Sequence, residues 1–410
     1  NPSDSRSKGM SSTTERMRAW QGPAVFSYGF RPFFLGAALW AAIAMLLWVP
    51  MLTGHLNLPT RFDPVSWHAH EFLFGYLTAA VAGFLLTAVP NWTGRLPIVG
   101  WSLAGLIALW LFGRVAVAVS ATLSPLAVAM IDLAMPVALA AVIAREIISG
   151  KNWRNLIVLG MLVVLIIANA VFHWEAANED YAAQGYGLRL GLGAGIMMIA
   201  VIGGRVVPSF TRNWMVKQDA KSLPTPPMQK FDKVALLALL LALLGWVVLP
   251  DAFVSAALLS LAGLLHLARL IRWKGVRTTA EPLVAVLHVA YAFVPIGALG
   301  LAVEIALPGL TGLGAMQHFW MSGAIGLMTL SIMTRATLGH TGQTLRAGPG
   351  TVLIYASVTA ATILRVTAGV WPPFASELLW AAGLAWLMAF AGFVALYGPL
   401  LLRAPPAKNV

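Results

Sequence analysis

No cysteine occurs anywhere in the chain. Disulfides, iron–sulfur clusters, thiolate-ligated haem and cysteine-type copper sites are therefore excluded. Any metal has to be held by His, Met, carboxylate or Tyr. Charge is scarce as well: Asp, Glu, Lys and Arg make up 10% of the 410 residues, against 59% hydrophobic residues. Mean hydropathy is +0.80. That balance excludes a soluble domain and points to an integral membrane protein. Acidic residues are the rarer sign, 15 against 27 Lys and Arg, for a net charge of +12. A basic excess raises nucleic acid as a partner, but the positions of the charges argue for another explanation. The first thirty residues are polar and lack the apolar core of a secretory signal. They are expected to form a cytoplasmic N-terminal segment, 1–30.

What is present is a succession of apolar runs. A spanning helix needs roughly 20 apolar residues. Such runs lie near 33–52, 67–90, 99–119, 122–144, 155–174 and 188–208, then near 232–249, 252–271, 282–304, 314–334, 350–370 and 376–402. The expected fold is all-α, with twelve transmembrane helices in one membrane domain, 31–403, and a short tail, 404–410. Pro50, Pro90, Pro208 and Pro250 are expected to mark helix ends, because proline lacks the donor the ladder needs. With both termini cytoplasmic, the inner connections hold Arg95, Arg145, Lys151 and Arg154, the basic residues of the loop near 209–231, Arg269 to Arg277, and Arg335 and Arg346. The outer ones hold Glu175, Glu179, Asp180, Asp251 and Glu304, with Arg61 and Arg189 as minor exceptions. This is a positive-inside pattern. The basic charge sets topology, and no nucleic-acid partner is expected.

Three helix ends resemble one another: "VPNWTGR" at 89–95, "VPSFTRN" at 207–213 and "LGHTGQ" at 338–343. Aligning Thr93, Thr211 and Thr341 brings Gly75, Gly193 and Gly323 into register. The same interval separates His70 from Thr93 and His318 from Thr341, with Leu188 at the third position. The register recurs every four spans, which suggests three pseudo-symmetric four-helix repeats. Chance recurrence of Gly, Thr and helix-ending proline is the competing explanation.

Ionisable groups inside lipid are costly, and each is a functional hypothesis. The stretch "WHAHEFLFGY", 67–76, opens the second span with His68, His70 and Glu71. His55, His68, His70, His173 and His318 sort toward the outside, and His266, His288 and His340 toward the cytoplasm. Residues i and i+2 on a helix point about 200° apart, so His68 and His70 are not expected to share a metal. His70 and His318 are expected at one height as the axial pair of a haem, with Gly75 and Gly323 leaving room for the ring. His68 reads equally as a ligand or as an interfacial residue near the helix start. Glu71 reads as a charge favoured by the helix end or as a proton donor at the outer mouth. His266, His288 and His340 form a candidate inner copper site, or hydrogen-bond separately across helices. His173 is a candidate outer ligand, and His55 a loop residue. Arg31, Arg205 and Arg335 serve topology, bind haem propionates, or serve an inner site. Arg114 and Asp132 are expected to form a structural ion pair.

The motifs "FRPFFL" (30–35), "WHAHE" (67–71), "VPSFTRN" (207–213), "LHVAYAFVPIG" (287–297) and "MTRATLGHTG" (333–342) together closely resemble the NnrS family. The resemblance implies a bacterial inner-membrane protein containing haem and copper, associated with denitrification and relief of nitric oxide stress. A distant, fold-level similarity joins the chain to haem-copper oxidase catalytic subunits, which have twelve spans in three arcs and a bis-histidine haem between spans 2 and 10. The chain departs from them: its sixth and seventh spans carry no histidine, and Met316 stands two before His318. The expected function is an oxidoreductase that binds or reduces nitric oxide at haem b and a second metal. Its electrons would come from a quinol or a redox protein. A twelve-span transporter, or a haem-based sensor without turnover, would share the same architecture.

Overall fold

The computed structural model describes residues 20–93, 98–312 and 314–404. Most of the expected N-terminal segment, residues 405–410 of the tail, and Arg95 lie outside the described residues. The chain is all-α. Lipid offers backbone groups no water, so each must be satisfied within its own segment, and helices are the simplest solution. The helices are α1 (Phe30–Leu52), α2 (Pro64–Thr93), α3 (Trp101–Ala118), α4 (Pro125–Ser149), α5 (Leu156–Ala177) and α6 (Tyr186–Lys217). They continue with α7 (Lys230–Val248), α8 (Phe253–Ile271), α9 (Pro282–Ala306), α10 (Phe319–Leu327 running on into Met328–His340), α11 (Pro349–Val370) and α12 (Ala375–Leu402). Eleven of these are long and apolar enough to cross a membrane. The other, α10, carries more Gly, Ser and Thr together with Arg335.

Helix starts follow local chemistry. Asp63 accepts from the Val65 and Ser66 amides just before Pro64, and Ser124 accepts from Ala127 just before Pro125. Glu281 does the same for Leu283 before Pro282. Each is an N-cap followed by a proline whose missing donor costs nothing at the first helical position. Helix ends are less faithful to proline. Pro250 does follow the end of α7, but Pro50, Pro90 and Pro208 lie inside their helices. In α6 the helix runs on to Lys217. The Ser209 and Thr211 hydroxyls donate to the carbonyls of Arg205 and Val207 in the turn around Pro208. Hydroxyl partners of this kind let a membrane helix tolerate proline. The connection expected over 209–231 is therefore confined to the residues after Lys217.

Sequential neighbours pack side by side, and α12 returns against α1. The apolar stretches of α2 and α6 are 78% buried and that of α9 is 67% buried, against 33–44% for the other helices that meet the membrane criterion. With α10, which is buried along most of its length, these are the inner helices. Three stretches leave α-helical geometry for the wider π form: Glu71–Tyr76 in α2, Ile199–Gly203 in α6 and Phe319–Leu327 in α10. Such turns commonly occur at functional positions. Two of the three directly follow a histidine, His70 and His318.

Candidate functional site

The start of α2 feeds two separate places. A 200° difference in direction sends His68 and His70 to opposite sides of the helix. His68 faces a cavity between α1, α2, α10, α11 and α12, with Trp48, Tyr76, His318, Arg365 and Trp386 among its lining residues. The space in and in front of the cavity, open solvent included, amounts to about 770 Å³. The His68 ring lies flat on Trp48, with centres 3.9 Å apart at 20°. Across the cavity the His318 ring is nearly parallel to it, at 11°, with centres 6.4 Å apart. The Nδ1 of His318 donates to the Gly314 carbonyl at 2.6 Å. A neutral His318 then presents Nε2 as a free lone pair. The buried Nδ1 of His68 has no partner among the described residues.

His70 faces the other way, into a buried polar cluster between α2, α3, α4 and α5. Its Nδ1 meets Glu71 Oε1 at 2.9 Å, and its Nε2 lies 2.9 Å from Asn169 Oδ1 and 3.1 Å from Asp132 Oδ2. His173 brings its Nε2 to the same Asp132 oxygen at 2.9 Å, and Asn169 Nδ2 donates to that oxygen at 2.9 Å. Arg114 donates to Glu71 Oε2 at 2.6 Å and to Asp132 Oδ1. Arg114, Glu71, His70 and Asp132 are all at most 3% exposed. Two carboxylates thus face one guanidinium, and the remaining negative charge needs a proton on the imidazoles or a bound cation. His70, Asp132 and His173 are the one group among the described residues whose donor atoms converge closely enough to hold a metal ion. Two imidazoles and a carboxylate suit zinc, copper or iron. A shallow cleft lined by Arg61, Phe62, Ser120 and His173 approaches the cluster from the end of the bundle.

The expected ion pair of Arg114 with Asp132 is present, but it is one edge of a larger network. The expected pairing of His70 with His318 is not made. His70 is committed to the cluster, and His68 takes its place opposite His318. The glycines expected to leave room for a ring do something else. A Cβ at Gly75 would lie 2.3 Å from the Arg114 guanidinium, and one at Gly323 would lie 2.6 Å from the Phe293 ring. The first lets Arg114 reach Glu71, and the second seats Phe293. Glu71, expected at the mouth, is fully buried between His70 and Arg114.

At the opposite end the three remaining histidines do not converge. His266 uses both nitrogens, Nδ1 with the Tyr291 hydroxyl at 2.8 Å and Nε2 with the Ala235 carbonyl at 3.0 Å. His288 Nε2 pairs with Thr211 at 2.7 Å. His340 rests on Tyr28 and Phe30. They are separate interhelical contacts, and the inner copper site drawn from them is not formed. None of Arg31, Arg205 and Arg335 lines the His68 cavity. Arg31 is buried and donates to the carbonyls of Leu400, Leu401 and Arg403, closing the C-terminus of α12. Arg335 lies over the Phe210 ring at 4.0 Å. Arg205 is half-buried with its Nε unpartnered. His55 bonds Thr53 in the loop after α1, as expected of a loop residue.

Two further residues of these sites stand out in the sequence itself. Arg365 is a lone cation in the apolar run of α11, and Asn169 a lone amide in that of α5. Either stands out once polar groups in lipid are read as functional.

Fold and site together define a multi-pass, all-α membrane protein with a buried, metal-competent histidine–aspartate cluster. Within that class, the chain belongs to the NnrS family. The family model described as NnrS protein matches residues 24–404, which include both histidine sites. No curated protein matches the chain.

Proposed function

We propose that the protein is a haem-containing oxidoreductase of nitric oxide metabolism, with haem b in the His68 cavity and a second metal, of the copper class, in the His70 cluster. One observation carries the haem reading: the spacing of His68 and His318. Their rings line the same cavity nearly parallel, close enough for both to reach a group bound between them. The observed separation is 6.4 Å. The free Nε2 of His318, the unpartnered Nδ1 of His68 and the aromatic walls of Trp48, Phe72 and Trp386 fit a flat, apolar ring. Haem, when bound, supplies a one-electron redox centre. His68 and His318 would hold it, and Trp48 fixes the plane of the His68 ring.

The His70 cluster offers three protein donors, which leaves coordination positions for a small ligand such as nitric oxide. Glu71 orients His70 through Nδ1, and Arg114 orients Asp132. Carboxylate and arginine partners of this kind tune metal ligands. The setting we infer is the bacterial inner membrane with both termini cytoplasmic, and the electron donor is a quinol or a redox protein. We also read the twelve spans as three four-span units, because π-helical turns fall in α2, α6 and α10 alone among the described helices.

The test is the absorption spectrum and metal content of the purified protein. A low-spin Soret band that disappears in His68→Ala and in His318→Ala supports the haem assignment, and nitric oxide consumption with a reductant supports the enzyme. A colourless, folded protein would overturn the reading and favour a transporter. A pigmented protein that binds nitric oxide without consuming it would be a sensor.

A further inference from the structure

We infer that Arg365 is the anchor for a carboxylate on the ligand of the His68 cavity, and so fixes which edge of that ligand points away from Tyr76. The inference rests on the haem reading, for which the carboxylates are the propionates.

Arg365 stands near the end of α11, and its side chain lines the same cavity as His68 and His318. It is half-buried, and its Nε is fully enclosed without a partner. None of its nitrogens bonds another described residue, and the cavity lining contains no Asp or Glu. An uncompensated guanidinium inside a membrane bundle is costly.

The chain shows how it treats other enclosed arginines. Arg114 is held by Glu71 and Asp132. Arg269 is held by Asp232, with the Tyr291 hydroxyl and the Ala200 carbonyl. Arg31 is held by three carbonyls at the end of α12. Arg365 has none of these, and unlike Arg205, whose Nε is also unpartnered, it lines a cavity beside two imidazoles. The missing partner is an anion that arrives with the ligand. A planar guanidinium fork suits a carboxylate best, in a bidentate, charge-assisted pair.

Orientation follows. His68, His318 and Arg365 all belong to the same end of the bundle, whereas Tyr76 and Ile325 line the cavity deeper along α2 and α10. Tyr76 lies eight residues beyond His68, about 12 Å further in at 1.5 Å per residue. The carboxylate edge of the ring therefore faces the end of the bundle that carries Arg365, and the hydrocarbon edge faces Tyr76.

The same pairing chemistry has a second source, an anionic lipid headgroup entering from the membrane. The experiment separates the two. Full-length protein is stripped of pigment in uncharged detergent and titrated with haem b and with its dimethyl ester, whose propionates carry no charge. The wild type is expected to bind the free acid at least about tenfold more tightly than the ester, the scale of one charge-assisted pair. Arg365→Gln is expected to bind both within about twofold, with Arg365→Lys between. His68→Ala is expected to bind neither.

Equal discrimination by Arg365→Gln and the wild type would overturn the anchor and leave the haem reading intact. Failure of the wild type to take up either ring would overturn the haem reading itself. Phosphatidylglycerol retained one-to-one by the wild type and lost in Arg365→Gln, with no discrimination between acid and ester, would assign Arg365 to lipid and overturn the proposal.

Discussion

His68 and His70, two residues apart on α2, point into different sites: His68 toward His318 across an open cavity, and His70 into a closed cluster with Asp132 and His173. One helix face change of about 200° produces this division. The stretch of α2 that carries both histidines therefore sits between the two proposed metals.

The first prediction follows from that division. His68→Ala is expected to abolish the low-spin haem spectrum and leave the second metal at wild-type stoichiometry. His70→Ala is expected to do the reverse. Each variant is measured for pigment by absorption and for metal by elemental analysis. Loss of both cofactors in both variants would show a single shared site and refute the division.

The distinction was only partly legible in the sequence. Apolar runs announced the helices, because bilayer thickness fixes their length and lipid fixes their composition. Depth was legible too, since each residue advances along a helix by only 1.5 Å. His68, His70, His173 and His318 fall together at one end, as depth sorting predicts. Azimuth was not legible. A step of two residues changes depth by about 3 Å but direction by about 200°. Aligning helix ends could therefore match His70 to His318 in height, while the neighbour His68 faces the cavity. Pairings from one span to another, such as Glu71 on α2 with Arg114 on α3, leave no local pattern at all.

Arg114 supports the second prediction. It holds two fully buried carboxylates at once. Arg114→Met removes the only guanidinium and leaves Glu71 and Asp132 facing each other across His70. Breaking a buried pair by deleting one partner costs about 3–5 kcal/mol. The variant is expected to unfold at a clearly lower temperature and to bind the second metal weakly. Adding Glu71→Gln should recover much of the stability, because one of the stranded charges is then gone. Thermal unfolding of the single and double variants checks this. No recovery in the double variant would contradict the account.

Gly75 gives a third prediction with no charge change. A methyl group there would overlap the Arg114 guanidinium, 2.3 Å away. Gly75→Ala is expected to displace Arg114 and cost about 1–3 kcal/mol, the usual penalty for overpacking a filled interior. The loss should be non-additive with Arg114→Met, since the clash disappears once the guanidinium is absent. A double-mutant cycle by thermal unfolding measures it. Simple additivity would mean Gly75 matters for some other reason.

The last prediction tests the rule used to interpret Arg365, that an enclosed arginine with protein partners is structural. Arg269 is fully buried between α7, α8 and α9, with its Nε on Asp232 at 2.7 Å and its Nη1 on Tyr291 and the Ala200 carbonyl. A Cβ at Gly204 would lie 2.1 Å from it, so α6 closes over the guanidinium. His266 completes the network through the same Tyr291 hydroxyl. Apart from Arg269 Nη2, every group here already has a protein partner, and no cavity opens beside it among those described. Asp232→Asn is expected to destabilise the protein strongly, by about 3–5 kcal/mol, because it strands the Arg269 charge. It should leave haem affinity, the acid-over-ester preference and metal content per folded molecule unchanged. Arg365→Gln should show the opposite profile, with little change in unfolding temperature and a lost preference for the free acid. If Asp232→Asn altered ligand binding while Arg365→Gln altered only stability, the partner rule would fail for both residues.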